Sequence, residues 1–249
     1  MNDRRLRALE RRFEESGSEP DELAYLHERV RTGGALGWER YSRLAELNVE
    51  AAADYLKARV ERGELEQERL ELAAHCSHSP AIEVVGRPKG CSEVPFDLAA
   101  LDDWTQLTLA SYGVEVWQRA AVAAAREAFR SWSAVLPEDP RPLEFLEAAE
   151  ESLCGTRSRT YRTLPLVPFW FMTDEACRRP EGALWCAKNA FLSLRNPAPH
   201  HVSFAVHIAG EVATPPKIRE ALRLDLVPWS LGAADPVRSR VAKRQGTHL

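Results

Sequence analysis

Residues 114–153 read VEVWQRAAVAAAREAFRSWSAVLPEDPRPLEFLEAAEESL, and this stretch decides the fold. Wound at ~100° per residue, Val114, Trp117, Ala121, Ala125, Ala128, Trp132 and Val135 fall within an arc of roughly 80°. Glu115, Arg119, Arg126, Glu127 and Arg130 gather on the other side. The spacing predicts a long amphipathic helix with an indole near each end of its buried face. Its alanines predict close approach by a neighbouring helix, at the near end of the usual ~8–10 Å range, because small side chains do not hold backbones apart. A corner follows, Pro137-Glu138-Asp139-Pro140-Arg141-Pro142, whose prolines stop the helix. Asp139 suits the N-cap of a second helix with Pro140 at its first position. Leu143, Leu146, Ala149 and Leu153 form the apolar face of that helix.

Towards the C-terminus, residues 173–194 hold another helix. Leu184, Trp185, Ala187, Phe191 and Leu194 make it too apolar all round for a surface element. Residues 200–213 fit two patterns. Val202, Phe204, Val206 and Ile208 alternate as in a strand, while Val202, Val206, Ala209 and Ala213 keep helical spacing. In a chain otherwise helical, a helix is the expected outcome. Thr214-Pro215 opens the last clear helix, with Ile218, Ala221 and Leu222 facing inward, and residues 238–249 form a basic tail expected to be mobile.

Towards the N-terminus, residues 97–112 read as a helix with Leu98, Leu101, Leu107 and Leu109 as its apolar positions. Residues 86–95 (GRPKGCSEVP) have the composition of a connector and divide the chain into segments 1–86 and 96–249. In the first segment, residues 2–16 read as a helix through Leu6, Leu9 and Phe13. Pro20-Asp21-Glu22 opens a second, with acidic residues in the first turn where the helix dipole favours them. Leu23, Leu26 and Val30 supply its stripe, and Gly33-Gly34 stops it.

An internal echo follows. Tyr25-Leu26, Arg29-Val30 and Gly33 recur at an offset of 30 as Tyr55-Leu56, Arg59-Val60 and Gly63. Leu36 and Glu39-Arg40 recur at an offset of 29 as Leu65 and Glu68-Arg69, the loop having lost one residue. A period near 30 in helical sequence predicts stacked helix pairs, and two copies fall short of the three or more that a free-standing array generally needs. The expected class is therefore all-α: a helical-repeat-like N-terminal lobe, then a larger helical lobe built on the pair at 114–153.

With 249 residues, 45% hydrophobic and 28% charged, the composition is that of a folded globular chain. A net charge of -4 argues against general nucleic-acid binding, which asks for a strongly basic domain. No run approaches the ~20 apolar residues of a membrane span. The opening MNDRRLRALERR lacks the apolar core of a secretory signal. Five scattered cysteines fit reduced thiols in a cytoplasm better than a disulfide framework.

Chemistry-bearing residues are sparse. His75, Cys76 and His78, with Cys91 beyond, could in number supply four zinc ligands, but their spacing matches no common zinc template. No carboxylate or cysteine pattern converges on His200, His201 or His207. A catalytic thiol needs a partner that lowers its pKa, no family signature surrounds Cys154, Cys177 or Cys186, and no phosphate-cradling glycine loop or nucleophile elbow is present. The expectation is a protein without metal, cofactor or enzymatic activity. Two surfaces remain. Glu138, Asp139, Glu144, Glu147, Glu150 and Glu151 crowd one region against a single Arg141, and such a patch either attracts a basic partner or serves as a solvated helix face. The run at 166–172, LVPFWFM, is either an aromatic contact site or a plug for the core.

The corner and its flanks also carry a resemblance. Ala120-Ala121, Leu136-Pro137-Glu138-Asp139-Pro140-Arg141-Pro142 and Leu146-Glu147-Ala148-Ala149-Glu150 resemble a bacterial all-helical family of immunity proteins associated with polymorphic toxin systems. The recurring feature of that family is an Ala-rich helix, a Pro-x-Asp-x-Arg-Pro corner and a helix carrying Glu-Ala-Ala. The likeness covers residues 117–155, echoes loosely near 183–190, and leaves out the N-terminal repeats. Where the family tends to be Ala-rich, this chain has its bulky run at 164–172. The resemblance implies a cytoplasmic binding protein that occupies and silences a cognate toxin, and it assigns no functional residue. From charge alone, Glu144, Glu147 and Glu151, which lie together opposite Leu146 and Leu153, are expected to meet the partner, a basic toxin such as a nuclease. The rival expectation is a helical adaptor or scaffold that uses the repeats to hold partners in a larger assembly.

Overall fold

The computed structural model describes residues 3–88, 97–133, 140–155, 180–196 and 198–246, and among these the chain is all-α, with no strand. It falls into two compact units, residues 1–91 with 228–234 and residues 92–227 with 235–249. The connector expected at 86–95 and the residues 164–172 lie largely or wholly outside the described residues.

The first unit contains α1 (Asp3–Ser16), α2 (Glu19–Arg31), α3 (Trp38–Leu47), α4 (Val49–Glu61), α5 (Gln67–His75) and α6 (Ser79–Val85). The echo in the sequence is an echo in space. Ser18 and Asn48 cap α2 and α4, accepting hydrogen bonds from the backbone N–H of Asp21 and Ala51. Gly33 and Gly63 adopt φ of 76° and 69°, left-handed values that a side chain would strain. Matching hydrogen bonds close both helix ends: the N–H of Gly33 and Gly34 reach Val30 and Arg29, and those of Gly63 and Glu64 reach Val60 and Arg59. Arg29 and Arg59 then donate across their loops to the carbonyls of Ala35 and Glu64. The second reach is one residue shorter because that loop is one residue shorter. Tyr25, Leu26, Tyr55 and Leu56 are all buried, which is what the repeated pair is for.

The period runs further than the sequence motif. Helices α2, α4 and α6 begin at residues 19, 49 and 79, so α6 opens a third, truncated copy. Its residues carry no Tyr-Leu pair, and the motif alone could not show it. Residues 228–234, from the segment read as the second lobe, group with this unit. Arg59 donates to the Leu231 carbonyl at 2.7 Å, and the Arg69 guanidinium lies 5.0 Å from the centre of the Trp229 ring.

Packing in the first unit departs from regularity once. Helix α1 rests on α2, α2 on α3, α3 on α4, and α6 on both α4 and α5. Thus α4 and α6 lie side by side, whereas α2 and α4, the equivalent pair one copy earlier, do not pack along each other. A groove of about 790 Å³ opens between them.

Two carboxylates tie α1 to α2. Asp21 accepts from Ser16 and Ser18 and faces Arg12 at 2.7 Å; Glu28, 4% exposed in its side chain, pairs with Arg31 at 2.6 Å and Arg5 at 3.6 Å. Hydrogen bonds from the two serines, with help from Arg12, hold the Asp21 carboxyl below its usual range. The Arg31 guanidinium does the same for Glu28. A depressed carboxyl stabilises the fold above its unfolded-state pKa and loses that contribution as pH falls through the folded value. Acid should therefore weaken this unit below the ordinary glutamate value of 4.5. Thermal melting of Glu28→Gln from pH 6 down to about 3 should show a shallower fall than the parent chain; parallel curves would contradict it.

The second unit holds α7 (Leu98–Asp103), a π-helical turn (Trp104–Thr108), a 3-10 turn (Leu109–Tyr112), α8 (Val114–Ser133), α9 (Arg141–Leu153), α10 (Pro180–Arg195), α11 (Pro199–Val212), α12 (Pro215–Ser230, its last turn belonging to the first unit) and α13 (Pro236–Arg244). Helix α10 is the hub, packed on α8, α9 and α11, and its residues 182–191 are buried throughout. Residues 200–213, ambiguous in the sequence, form helix.

Helix α8 is swallowed further than its amphipathic pattern predicts. Ala120, Ala121, Val122, Ala123, Ala124, Ala125 and Ala128 are all buried, while Val114, expected inside, is half exposed. Trp117 donates its indole N–H to the Thr105 carbonyl at 3.0 Å. The helix expected at 97–112 is broken by its π turn, which inserts an extra residue per turn and shifts the register. Trp104, Thr105 and Leu109 consequently turn inward and Leu107 stands 73% exposed. Of the basic tail, residues 238–244 are helical: Asp235 caps α13, and that helix packs on α9.

Candidate functional site

Helix α9 carries the carboxylates that charge patterning singled out. Pro140 stands at its N-cap without a side-chain bond, and Asp139, expected there, lies outside the described residues. So do Glu138, Cys91, Cys177 and the run at 166–172. At ~100° per residue, Glu144, Glu147 and Glu151 span an arc of roughly 60°, and all three are half-buried. The structure thus brings them to one face. That face is narrow, because Phe145, Leu146, Ala148 and Ala149 are buried around the rest of the helix.

Glu150 is not part of the acidic surface. It is 0% exposed and lies inside a cage of three arginines. Its Oε1 accepts from Arg126 Nε at 2.9 Å and from Arg240 Nε at 2.7 Å; its Oε2 accepts from Arg244 Nη1 at 2.5 Å. Arg240 is shared, pairing in fork geometry with buried Asp225 at 3.1 Å through both terminal nitrogens. Arg244 also reaches Glu147, Nε to Oε1 3.6 Å. The region read as acidic residues against one Arg141 is therefore answered by cations from α8 and α13, brought in by tertiary packing. The signal was in the spacing: Leu146, Ala149, Glu150 and Leu153 recur at helical intervals, so Glu150 falls inside an apolar stripe. A carboxylate placed there needs a cation. Arg240 and Arg244, one turn apart on α13, supply two.

A second, part-buried pair joins α8 to the start of α13. Arg119, expected on the polar side of α8, is 4% exposed and forks onto Asp235 at 3.0 and 2.9 Å. Asp235 also accepts the Arg238 N–H, so one carboxylate caps α13 and binds α8.

The remaining candidates do not converge. Cys76 and His78 are buried, and the His78 Nε2 stands 2.6 Å from the Tyr41 hydroxyl. Burial pushes the Tyr41 phenol well up, so it keeps its proton. His201 contacts Asn189 at 3.1 Å and lies tilted against the His200 ring, while His207 meets Asp102 at 2.8 Å. Among the described residues no group of three or more His, Cys, Asp or Glu side chains is arranged to hold a metal ion. Among the described residues no helix is long and apolar enough to cross a membrane. Cys186 is buried inside α10, and burial raises the Cys154 thiol, away from thiolate reactivity.

The fold and its charged layer define an all-helical protein with a carboxylate row clamped from behind by arginines. Comparisons with family models, with curated proteins and with solved structures find no match to this chain.

Proposed function

We propose that this protein is a protein-binding protein of the toxin-immunity kind, whose α9 face meets a basic partner. The observation that supports this reading is the row Glu144, Glu147 and Glu151 on a helix whose inner carboxylate is locked by three arginines. A binding row on a clamped helix loses little entropy when the partner arrives. The clustered negative charge steers a cationic surface onto it.

Two experiments bear on it. Co-expression with the toxin encoded beside this chain should yield a stable one-to-one complex; several weak partners would instead favour the adaptor reading, to which the helix-pair repeat lends itself. Glu147→Lys with Glu151→Lys should then melt within about 1 kcal/mol of the parent, since half-exposed ion pairs contribute little. Its association rate should fall about tenfold at low salt, the difference shrinking towards 1 M where the screening length is about 3 Å. Equal association rates would remove α9 as the contact face.

A further inference from the structure

The groove between α2 and α4 is the place where the repeat fails to pack on itself. Apolar side chains that a regular array would cover line it: Leu9 of α1, Leu23 and Val30 of α2, Ala51 and Ala58 of α4. Leu9, Leu23 and Val30 are left half-exposed as a result. Its volume of about 790 Å³ lies in the range of built binding sites. The slot is helical in kind, because the equivalent side-by-side contact one copy later is made by a helix, α6 on α4.

Charge gives the slot two different edges. Arg5 and Arg31 stand on the α1–α2 side and Asp54 on the α4 side. The balance of sign continues beyond the lining: exposed Arg4, Arg7, Arg11 and Arg12 outnumber exposed Glu14 and Glu15 along α1, and exposed Glu50 and Glu61 outnumber exposed Lys57 along α4. Glu28, beneath Arg31, is already neutralised by its pairs and leaves the α2 side net positive.

We propose that this groove docks an amphipathic helix of a protein partner, with a small apolar ridge, an acidic flank towards Arg5 and Arg31, and a basic flank towards Asp54. The occupant supplies α2 with the side-by-side helix contact that α4 receives from α6 one copy later. This site is separate from the α9 face and does not depend on it.

The test uses the full chain as bait for a displayed library of 15-residue helices. Their ridge positions are fixed as Leu or Ala, and their flanks are randomised among Glu, Gln and Lys. Enriched binders should carry acidic residues on one flank and basic residues on the other, because that is the pattern of the two edges. Ala24→Trp places an indole in the groove from an exposed position, so folding should be kept. Affinity for the enriched helices should drop at least tenfold. Asp54→Lys should select binders with two acidic flanks. The Glu147→Lys, Glu151→Lys chain should bind them as the parent does, which separates this site from α9. No enrichment, flanks without the split, or undiminished binding by folded Ala24→Trp would overturn the proposal. So would a self-associating chain whose dimer is lost on Ala24→Trp, which would give the groove to a second copy.

Discussion

Glu150→Gln should lower the melting temperature by roughly 10 °C, a loss of about 3–5 kcal/mol. The amide keeps the shape of the carboxylate but not its charge, and it leaves Arg126, Arg240 and Arg244 gathered around a neutral group. Three guanidiniums at hydrogen-bonding distance from one site repel each other, and of the three Asp225 pairs directly with Arg240. The cost is that of stranding part-buried cations around a buried site, which exceeds the net worth of the original pairs. Removing cations together with the anion should therefore recover stability. Glu150→Leu combined with Arg126→Met and Arg244→Met, which leaves Arg240 on Asp225, should melt above Glu150→Gln. A single variant that melted with the parent would mean that the cage contributes nothing.

Gly210→Val should cost about 2 kcal/mol by overpacking. A Cβ at Gly210 of α11 would sit 2.7 Å from a methyl of Leu98 and 3.0 Å from a methyl of Leu101, both on α7. Leu101 is fully buried and has nowhere to retreat, and a branched side chain adds two more carbons to the clash. Because α7 leads into the π turn, the displacement should reach Trp104. A change in near-ultraviolet circular dichroism should accompany the fall in melting temperature. Gly210→Val with Leu98→Ala should restore part of the loss; if it does not, the strain lies elsewhere.

Helix positions were legible in the sequence because amphipathic spacing and end signals act over a few residues. Gly33 and Gly63 stop their helices as read, and residues 199–212 chose helix over strand once neighbouring helices were there to cover both faces. What the sequence hid depends on distant pairing. Arg119 and Arg126 sit on what a helical wheel marks as the wet side of α8, yet Asp235 and Glu150 draw them in. Leu107 keeps the hydropathy of a core residue and is exposed because one π turn moves it. For the candidate site, Glu144, Glu147 and Glu151 share a face as their spacing requires, but their arginine backing comes from a tail that composition alone presents as loose.

The seat of Leu231 and Trp229 in the first unit has a consequence for how the chain is made. Most contacts of that unit join helices adjacent in sequence, the low-contact-order kind that forms in microseconds to milliseconds. The bond from Arg59 to Leu231 instead spans 172 residues. At ~5–20 residues per second on the ribosome, the helix pairs emerge on the order of ten seconds before that partner exists. Through that interval Arg59 must take its carbonyl from its own loop, as Arg29 does in the copy before it. The helix pairs of the first unit thus stay open until residue 231 has been made, and the pairs of Asp235, Arg240 and Arg244 close the second unit only after that.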